Sequence, residues 1–225
     1  VNAPALLGAR EVALFGGTFD PLHEGHLSVA RCALDFARLD AIVFVPAHRS
    51  PLRTEHVPLA DDRRLELVRL SLTDEPRFAV WDVELARGGT SYTIDTVRAA
   101  RAWRGADASA PWLVIGSDSL AGLPRWRAVE ELLELARPIV VPREELADVR
   151  ARLHSLRTQL SSAACDALEK GCVPLAVPHP ASATRLREEL ARGRCPAGWL
   201  APRVLEHVRT HGFYRRSDDG SGAAT

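Results

Sequence analysis

The chain has 225 residues, a length that fits one large α/β domain better than two independent ones. Hydrophobic residues make up 46% and charged residues 26%, which excludes a disordered or fibrous chain. With 29 basic and 29 acidic side chains the formal charge is zero, which excludes the overall positive field of a non-specific nucleic-acid binder. Cys32, Cys165, Cys172 and Cys195 are widely spaced and form no Cys-x-x-Cys pair, which argues against a zinc knuckle or a disulfide framework and for a reducing, cytoplasmic setting. No stretch approaches the roughly 18 apolar residues of a membrane span. The start of the chain also lacks a basic region followed by an apolar run and a cleavage site, so no membrane partner is expected.

Short apolar runs alternate with amphipathic stretches, the pattern of βαβ units that build a parallel sheet. The first predicted strand, 12–15, leads through a glycine-rich turn into a helix on which Leu27, Ala30, Ala33, Leu34 and Ala37 recur at helical spacing. A second strand, 41–46, precedes a basic loop and then a helix carrying Leu65, Val68 and Leu72. Further strands are predicted at 78–83, 112–116, 138–141 and 173–177. Between the last two, residues 143–170 contain neither Gly nor Pro and space Leu146, Val149, Leu153, Leu156 and Leu160 helically, which predicts one long helix or a helical pair. The domain is expected to span 1–214, and the 215–225 tail, with nothing to bury, is expected to be disordered. The fold class is α/β: a doubly wound, mainly parallel sheet with flanking helices and a C-terminal helical part. Right-handed crossovers put all strand C-termini on one edge, where open α/β sheets bind ligands.

The strongest chemical signal is Gly16-Gly17-Thr18-Phe19-Asp20-Pro21-Leu22-His23-Glu24-Gly25-His26, directly after the first strand and opening the first helix. Two glycines allow a sharp turn and a close approach to a ligand, and the N–H groups of a helix start attract phosphate. His23 and His26, three residues apart, reach the same side of that turn and can donate ring N–H bonds to phosphate oxygens. Alone, the glycine pair is an ordinary turn, and His-x-x-His is also a metal pair or two surface histidines. A metal would need a third ligand, for which His48 is the candidate, and the strand-turn-helix context favours phosphate over metal.

Four further segments follow in order: Ser91-Tyr92-Thr93, Ile115-Gly116-Ser117-Asp118-Ser119-Leu120, Pro124-Arg125-Trp126 and Ser182-Ala183-Thr184-Arg185-Leu186-Arg187. Ser182 and Thr184 are good helix N-cap types, and Arg187, one turn on, supplies a charged fork for phosphate; an ordinary capped surface helix with a solvated arginine would look the same. Asp118, at the end of the fourth strand, can accept from ribose hydroxyls or cap the next short helix. Trp126 can stack on an electron-poor ring or simply pack.

With HEGH at its centre, this series resembles the nucleotidyltransferases of the (T/H)xGH signature, and among them the nicotinate-nucleotide adenylyltransferases, over nearly the whole chain up to Tyr214. The resemblance implies a Rossmann-like fold and transfer of the adenylyl group of ATP to nicotinate mononucleotide, with pyrophosphate released, as a step of NAD synthesis. It implies ATP contacts from Gly16, Gly17, Thr18, Phe19, Gly116, Asp118, Ser182 and Thr184, with His23, His26 and Arg187 catalytic. Tyr92, Thr93, Trp126 and Arg127 are implied for the acceptor, with donors near Thr93 reading the nicotinate carboxylate. Relatives usually carry Pro-Pro and then His or Lys after the second strand, whereas this chain reads Pro46-Ala47-His48-Arg49-Ser50-Pro51-Leu52-Arg53. Which of His48, Arg49 and Arg53 meets phosphate is open, and Arg143 is a weaker candidate facing the adenosine. The 143–170 segment is longer than relatives usually have and is assigned no chemistry; assembly as a homo-oligomer is one use for it.

Because a phosphate oxygen is already nucleophilic near neutral pH, the implied reaction needs positioning and charge stabilisation rather than a general base or covalent intermediate. Mg2+ would arrive with ATP. Three rivals remain at this stage: adenylyl transfer to nicotinamide mononucleotide or phosphopantetheine, a non-catalytic nucleotide sensor, and a metal-dependent hydrolase built on the histidine pair.

Overall fold

The computed structural model describes residues 3–51, 57–175 and 179–215. Five parallel strands form one sheet: β1 Val12–Gly17, β2 Ala41–Pro46, β3 Phe78–Val80, β4 Trp112–Gly116 and β5 Arg137–Val141, in the order β3-β2-β1-β4-β5. In the register, Phe15 faces Phe44 across β1 and β2, and Ile115 faces Val140 across β4 and β5. Successive side chains of a strand point to opposite faces. Val12, Leu14, Val43, Val45, Leu113 and Ile115 therefore join one buried cluster, while Ala13, Phe15, Ile42, Phe44, Val114 and Ile139 join another on the opposite face. Burial on both faces is why these strands read in the sequence as continuous apolar runs.

The second cluster is closed by α1 (Glu24–Phe36), whose Leu27, Ala30, Ala33 and Leu34 are buried as their spacing predicts. The first is closed by α4 (Thr93–Arg104) and α5 (Val129–Leu135), and by the pair α6 (Leu146–Ser155) and α7 (Ser162–Lys170). The 143–170 segment is thus a helical pair: Ser161 caps α7 by accepting from the Ala164 N–H at 3.2 Å, and its own N–H and hydroxyl donate to Glu130. A third, smaller cluster joins α2 (Asp61–Ser71) through Leu67 to α8 (Ala183–Ala191) and α9 (Pro202–Thr210). That cluster is the C-terminal helical part.

Two predicted strands are corrected. The third ends at Val80, and Val83 opens the short helix α3 (Val83–Arg87) instead of extending the strand. The sixth is reduced to a single parallel bridge between Cys172 and Val140, closed by the Val140 N–H on the Gly171 carbonyl and the Val173 N–H on the Val140 carbonyl, each at 2.9 Å. Pro138 and Pro142, two residues to either side of Val140, lack the N–H groups that would continue the ladder. Residues 173–175 are not strand, and the remainder of that prediction lies outside the described residues, as do Arg53 and the tail beyond Arg215.

Candidate active site

From β1 the chain winds outward through β2 to β3, then returns to the other side of β1 as β4. The order reverses between β1 and β4, which opens a crevice at the strand C-termini. The glycine turn leaves β1 there, and Gly116 ends β4 beside it, leading into a 3-10 helix, Ser117–Arg125, that carries Asp118.

The left-handed residue of the glycine turn is not a glycine. Neither Gly16 nor Gly17 takes a positive φ; the left-handed residue of the turn is Phe19, at φ 48°. What Gly17 supplies is room, because a Cβ there would lie 2.7 Å from the Phe19 ring. That ring lies edge-on to Phe15 and to His26, with centroids 5.7 and 5.3 Å away.

His23 is the N-cap of α1 and only 3% exposed, with its ring 3.9 Å from that of His26. The His23 N–H donates to Nδ1 of His26 at 3.3 Å, so the neutral His26 ring carries its proton on Nε2. Burial, and then the charges of Arg143, His179 and Arg187, push His23 down from the ordinary 6.5 to about 3, so it is a neutral imidazole at neutral pH. Its Nδ1 is buried with no hydrogen-bond partner among the described residues. Part of the helix start is already used: the Glu24 N–H goes to the Trp199 carbonyl at 3.0 Å and the His26 N–H to the His23 carbonyl at 2.8 Å.

The second motif folds against the first. Gly25 permits this, since a Cβ on it would lie 3.0 Å from both the Ala181 carbonyl oxygen and the His23 ring. Ser182 caps α8 by accepting from the Arg185 N–H at 3.3 Å, as an ordinary capped helix would. Arg187 is not solvated: its side chain is 19% exposed, donates to the Asp20 carbonyl at 2.7 Å and reaches Thr184 Oγ1 at 3.4 Å. Arg143, just after β5, donates to Asp118 at 3.3 Å and to the Ala181 carbonyl at 3.4 Å, while its N–H donates to Ser117 Oγ at 3.0 Å. Gly116, Asp118, Arg143, Arg187 and both histidines thus share one neighbourhood.

The acceptor candidates gather at the start of α4. Tyr92 is its N-cap and Thr93 its first residue, and the Arg127 guanidinium sits 4.7 Å from the centre of the Tyr92 ring and 3.8 Å from Asp95. Trp126, half-buried, packs against the first core cluster. The loop after β2 is stitched to this segment: the His48 N–H donates to Ser91 Oγ at 3.0 Å, and the Ser91 N–H to the Arg49 carbonyl at 2.8 Å. His48 Nδ1 contacts Asp61, and the Arg49 side chain is exposed.

Sequence reasoning missed several residues here. Asp20 lies in the quoted motif with no assigned role, yet it is 2% exposed and accepts the Tyr214 hydroxyl at 2.8 Å and the Leu59 N–H at 3.2 Å. Burial and the adjacent carboxylate push the Tyr214 phenol up. His179 beside His23 and the fully buried Ser117 and Arg64 are likewise unannounced by any spacing. Among the described residues no group of three or more His, Cys, Asp or Glu is placed to hold a metal ion. No helix among them is long and apolar enough to cross a membrane.

A doubly wound parallel sheet with a glycine turn, a histidine pair and two arginines gathered at its switch point defines a Rossmann-like protein. Residues 14–189 match the cytidylyltransferase-like family. A probable nicotinate-nucleotide adenylyltransferase of Gloeobacter violaceus is 38% identical over 223 residues, covering 92% of this chain and 97% of its own length. One of Chromobacterium violaceum is 36% identical over 215 residues, covering 91% and 98%. The chain belongs to the cytidylyltransferase-like family and, within it, to the nicotinate-nucleotide adenylyltransferases. The solved structure of the Plasmodium falciparum nicotinic acid mononucleotide adenylyltransferase complexed with NaAD superposes with a TM-score of 0.67 over 91% of this chain and 97% of that one; at 13% identity this likeness concerns the fold alone.

Proposed function

We propose that residues 1–214 act as one nucleotidyltransferase domain that transfers the adenylyl group of ATP to nicotinate mononucleotide, giving nicotinate adenine dinucleotide and pyrophosphate in NAD synthesis. The observation that carries this reading is the histidine pair at the switch point. His23 is held neutral with an unpartnered buried Nδ1, and His26 is held as the Nε2–H tautomer, next to Arg143 and Arg187. Such a site offers neutral donors and fixed cations to an anion without supplying a base.

An oxygen of the acceptor phosphate attacks the α-phosphorus in line, forming the new P–O bond as the bond to the β-phosphate bridging oxygen breaks and pyrophosphate leaves. His26 donates from Nε2 to an α-phosphoryl oxygen, and His23 closes its own orphaned contact on the nucleotide. Arg187, anchored on the turn, and Arg143 offset charge on the triphosphate, while Gly16, Gly17, Thr18, Phe19, Ser182 and Thr184 shape its cradle. Gly116 lets Asp118 lie close enough to β4 to meet the ribose, since a Cβ there would stand 2.5 Å from its carboxylate.

On the acceptor side, the start of α4 at Thr93 offers N–H groups to the nicotinate carboxylate. Arg127 adds its charge, and Trp126 stacks on the pyridine ring. His48 and Arg49 stand at the acceptor phosphate on the loop tied to Ser91. The carboxylates nearest the crevice are engaged, Asp20 by Tyr214 and Asp118 by Arg143, and the described residues offer no group of three or more metal ligands. ATP would arrive as its Mg2+ complex, in which the cation would offset triphosphate charge.

The test is pyrophosphate release from ATP with a panel of acceptors. Release with nicotinate mononucleotide, at a specificity constant more than about tenfold above that for nicotinamide mononucleotide, is expected, because a carboxylate accepts from every donor aimed at it. ATP binding without release would mark a sensor, release with phosphopantetheine a different transferase, and ester cleavage without an acceptor a hydrolase.

A further inference from the structure

Arg64 is the largest fully buried side chain of the molecule among the described residues, with a relative exposure of 0%. It sits on α2, outside the sheet, next to Arg63, which is solvated. Its donors go mainly to the backbone. Nε donates to the Leu59 carbonyl at 3.0 Å, Nη1 to the Thr18 carbonyl at 2.6 Å and Nη2 to the Ala47 carbonyl at 2.7 Å, with Asp61 as its carboxylate partner among the described residues. A buried guanidinium needs only a carboxylate to balance its charge. Three carbonyls from three separate segments are a different arrangement, because they make the planar fork a spacer between loops.

Two of those carbonyls belong to loops that meet the two substrates. A peptide unit is planar and trans, so its C=O and N–H point in opposite directions. Drawing the Thr18 carbonyl toward α2 therefore aims the Phe19 N–H the other way, and it does so at the one left-handed residue of the catalytic turn. Drawing the Ala47 carbonyl toward α2 likewise aims the His48 N–H away from it, and that N–H is received by Ser91 Oγ at 3.0 Å, immediately before Tyr92 and Thr93. The Ala47 N–H, in turn, donates to the Gly17 carbonyl at 2.9 Å. A continuous set of bonds runs from the ATP turn through Arg64 and the Ala47–His48 peptide to the acceptor segment.

We propose that Arg64 is a positioning residue for adenylyl transfer, which from behind the site fixes the ATP turn and the acceptor segment in one frame and so sets the separation of the two reacting phosphates. Ser91 is the second joint of that frame. The proposal rests on the adenylyl-transfer reading above, and it concerns alignment of two bound substrates rather than affinity for either. Misplacement by about 1 Å lowers rates by roughly 100-fold.

The experiment compares wild type, Arg64→Lys, Ser91→Ala and the double variant, with thermal melts to confirm folding, calorimetric affinities for ATP and for nicotinate mononucleotide separately, and kcat from pyrophosphate release. Lysine keeps the charge opposite Asp61 but cannot span three carbonyls. Its kcat is expected to fall roughly 100-fold, with each separate affinity changed less than about threefold. Ser91→Ala should lower kcat by roughly tenfold, and the double variant should be no slower than Arg64→Lys alone, as befits two joints of one frame. A folded Arg64→Lys with wild-type kcat, or a loss confined to the affinity for one substrate, overturns the proposal. If Arg64→Lys does not fold, Ser91→Ala decides alone by the same criteria. A wild-type enzyme that releases no pyrophosphate with this acceptor overturns instead the functional reading on which the proposal rests.

Discussion

Replacing His23 by Asn should flatten the acid side of the protein's stability curve. In the folded chain the imidazole titrates at about 3, whereas in the unfolded chain it returns to the ordinary 6.5. Between those values the unfolded state binds a proton that the folded state refuses, so stability falls as pH drops through 6.5 and keeps falling until the folded group itself titrates. Each pH unit inside that window removes about 1.4 kcal/mol, and integration from pH 8 to pH 5 gives a loss of about 2 kcal/mol from this one side chain. Asn is neutral throughout and a good N-cap residue, so it removes the titration without placing an unfavourable residue at the start of α1. Urea unfolding of both proteins at several pH values between 8 and 5 measures the difference directly. Other histidines and carboxylates contribute to both curves and cancel in the comparison. The absolute stability of the variant is immaterial; the relevant quantity is the change in slope, and parallel curves would show that His23 is not held neutral by its surroundings.

Four further outcomes are expected. His26→Ala should lower kcat by roughly 100- to 1,000-fold, about 2.7–4 kcal/mol of transition-state stabilisation, with its circular dichroism unchanged; near-wild-type turnover would remove His26 from the mechanism. Gly171→Ala puts a Cβ 2.1 Å from the Pro138 carbonyl oxygen, against the bridge that joins α7 to β5. The overpacking should destabilise by about 1–3 kcal/mol, seen as a lower urea midpoint. Tyr214→Phe removes a hydrogen bond to the buried Asp20 carboxylate and should lower stability by about 1.5–3 kcal/mol in the same assay, whereas a neutral result would mean that the hydroxyl is replaced by solvent. Trp126→Ala should raise KM for both pyridine acceptors while leaving KM for ATP unchanged; undiminished acceptor affinity would displace Trp126 from the ring contact.

The fold is legible wherever a strand is buried on both faces. Val12 to Phe15 and Ala41 to Pro46 show unbroken apolar runs because helices cover both sides of β1 and β2. The same cue misleads at residues 78–83, where Val83 is apolar for the sake of α3, and at 173–177, where Pro142 on the facing segment ends a pairing that the apolar residues invite. In the site, His23, His26 and Arg187 are readable because a short motif sets their local geometry. Asp20 and Arg64 are not. Nothing in the sequence separates Arg64 from Arg63, since only the packing of α2 against both loops decides which guanidinium is buried. The Asp20–Tyr214 contact spans 194 residues, and no local pattern encodes a partner so distant.

That span also orders events during synthesis. A ribosome working at about 5–20 residues per second makes the turn around Asp20 roughly ten to forty seconds before it makes Tyr214, which lies 194 residues later. Through that interval the nascent polypeptide already contains the glycines and both histidines, yet the carboxylate beneath them lacks its phenol, and for all but its last part the turn also lacks the arginine of α8. Translation therefore completes the brace only after all five strands exist, and a product released before Tyr214 carries the entire signature without the buttress that holds it in shape.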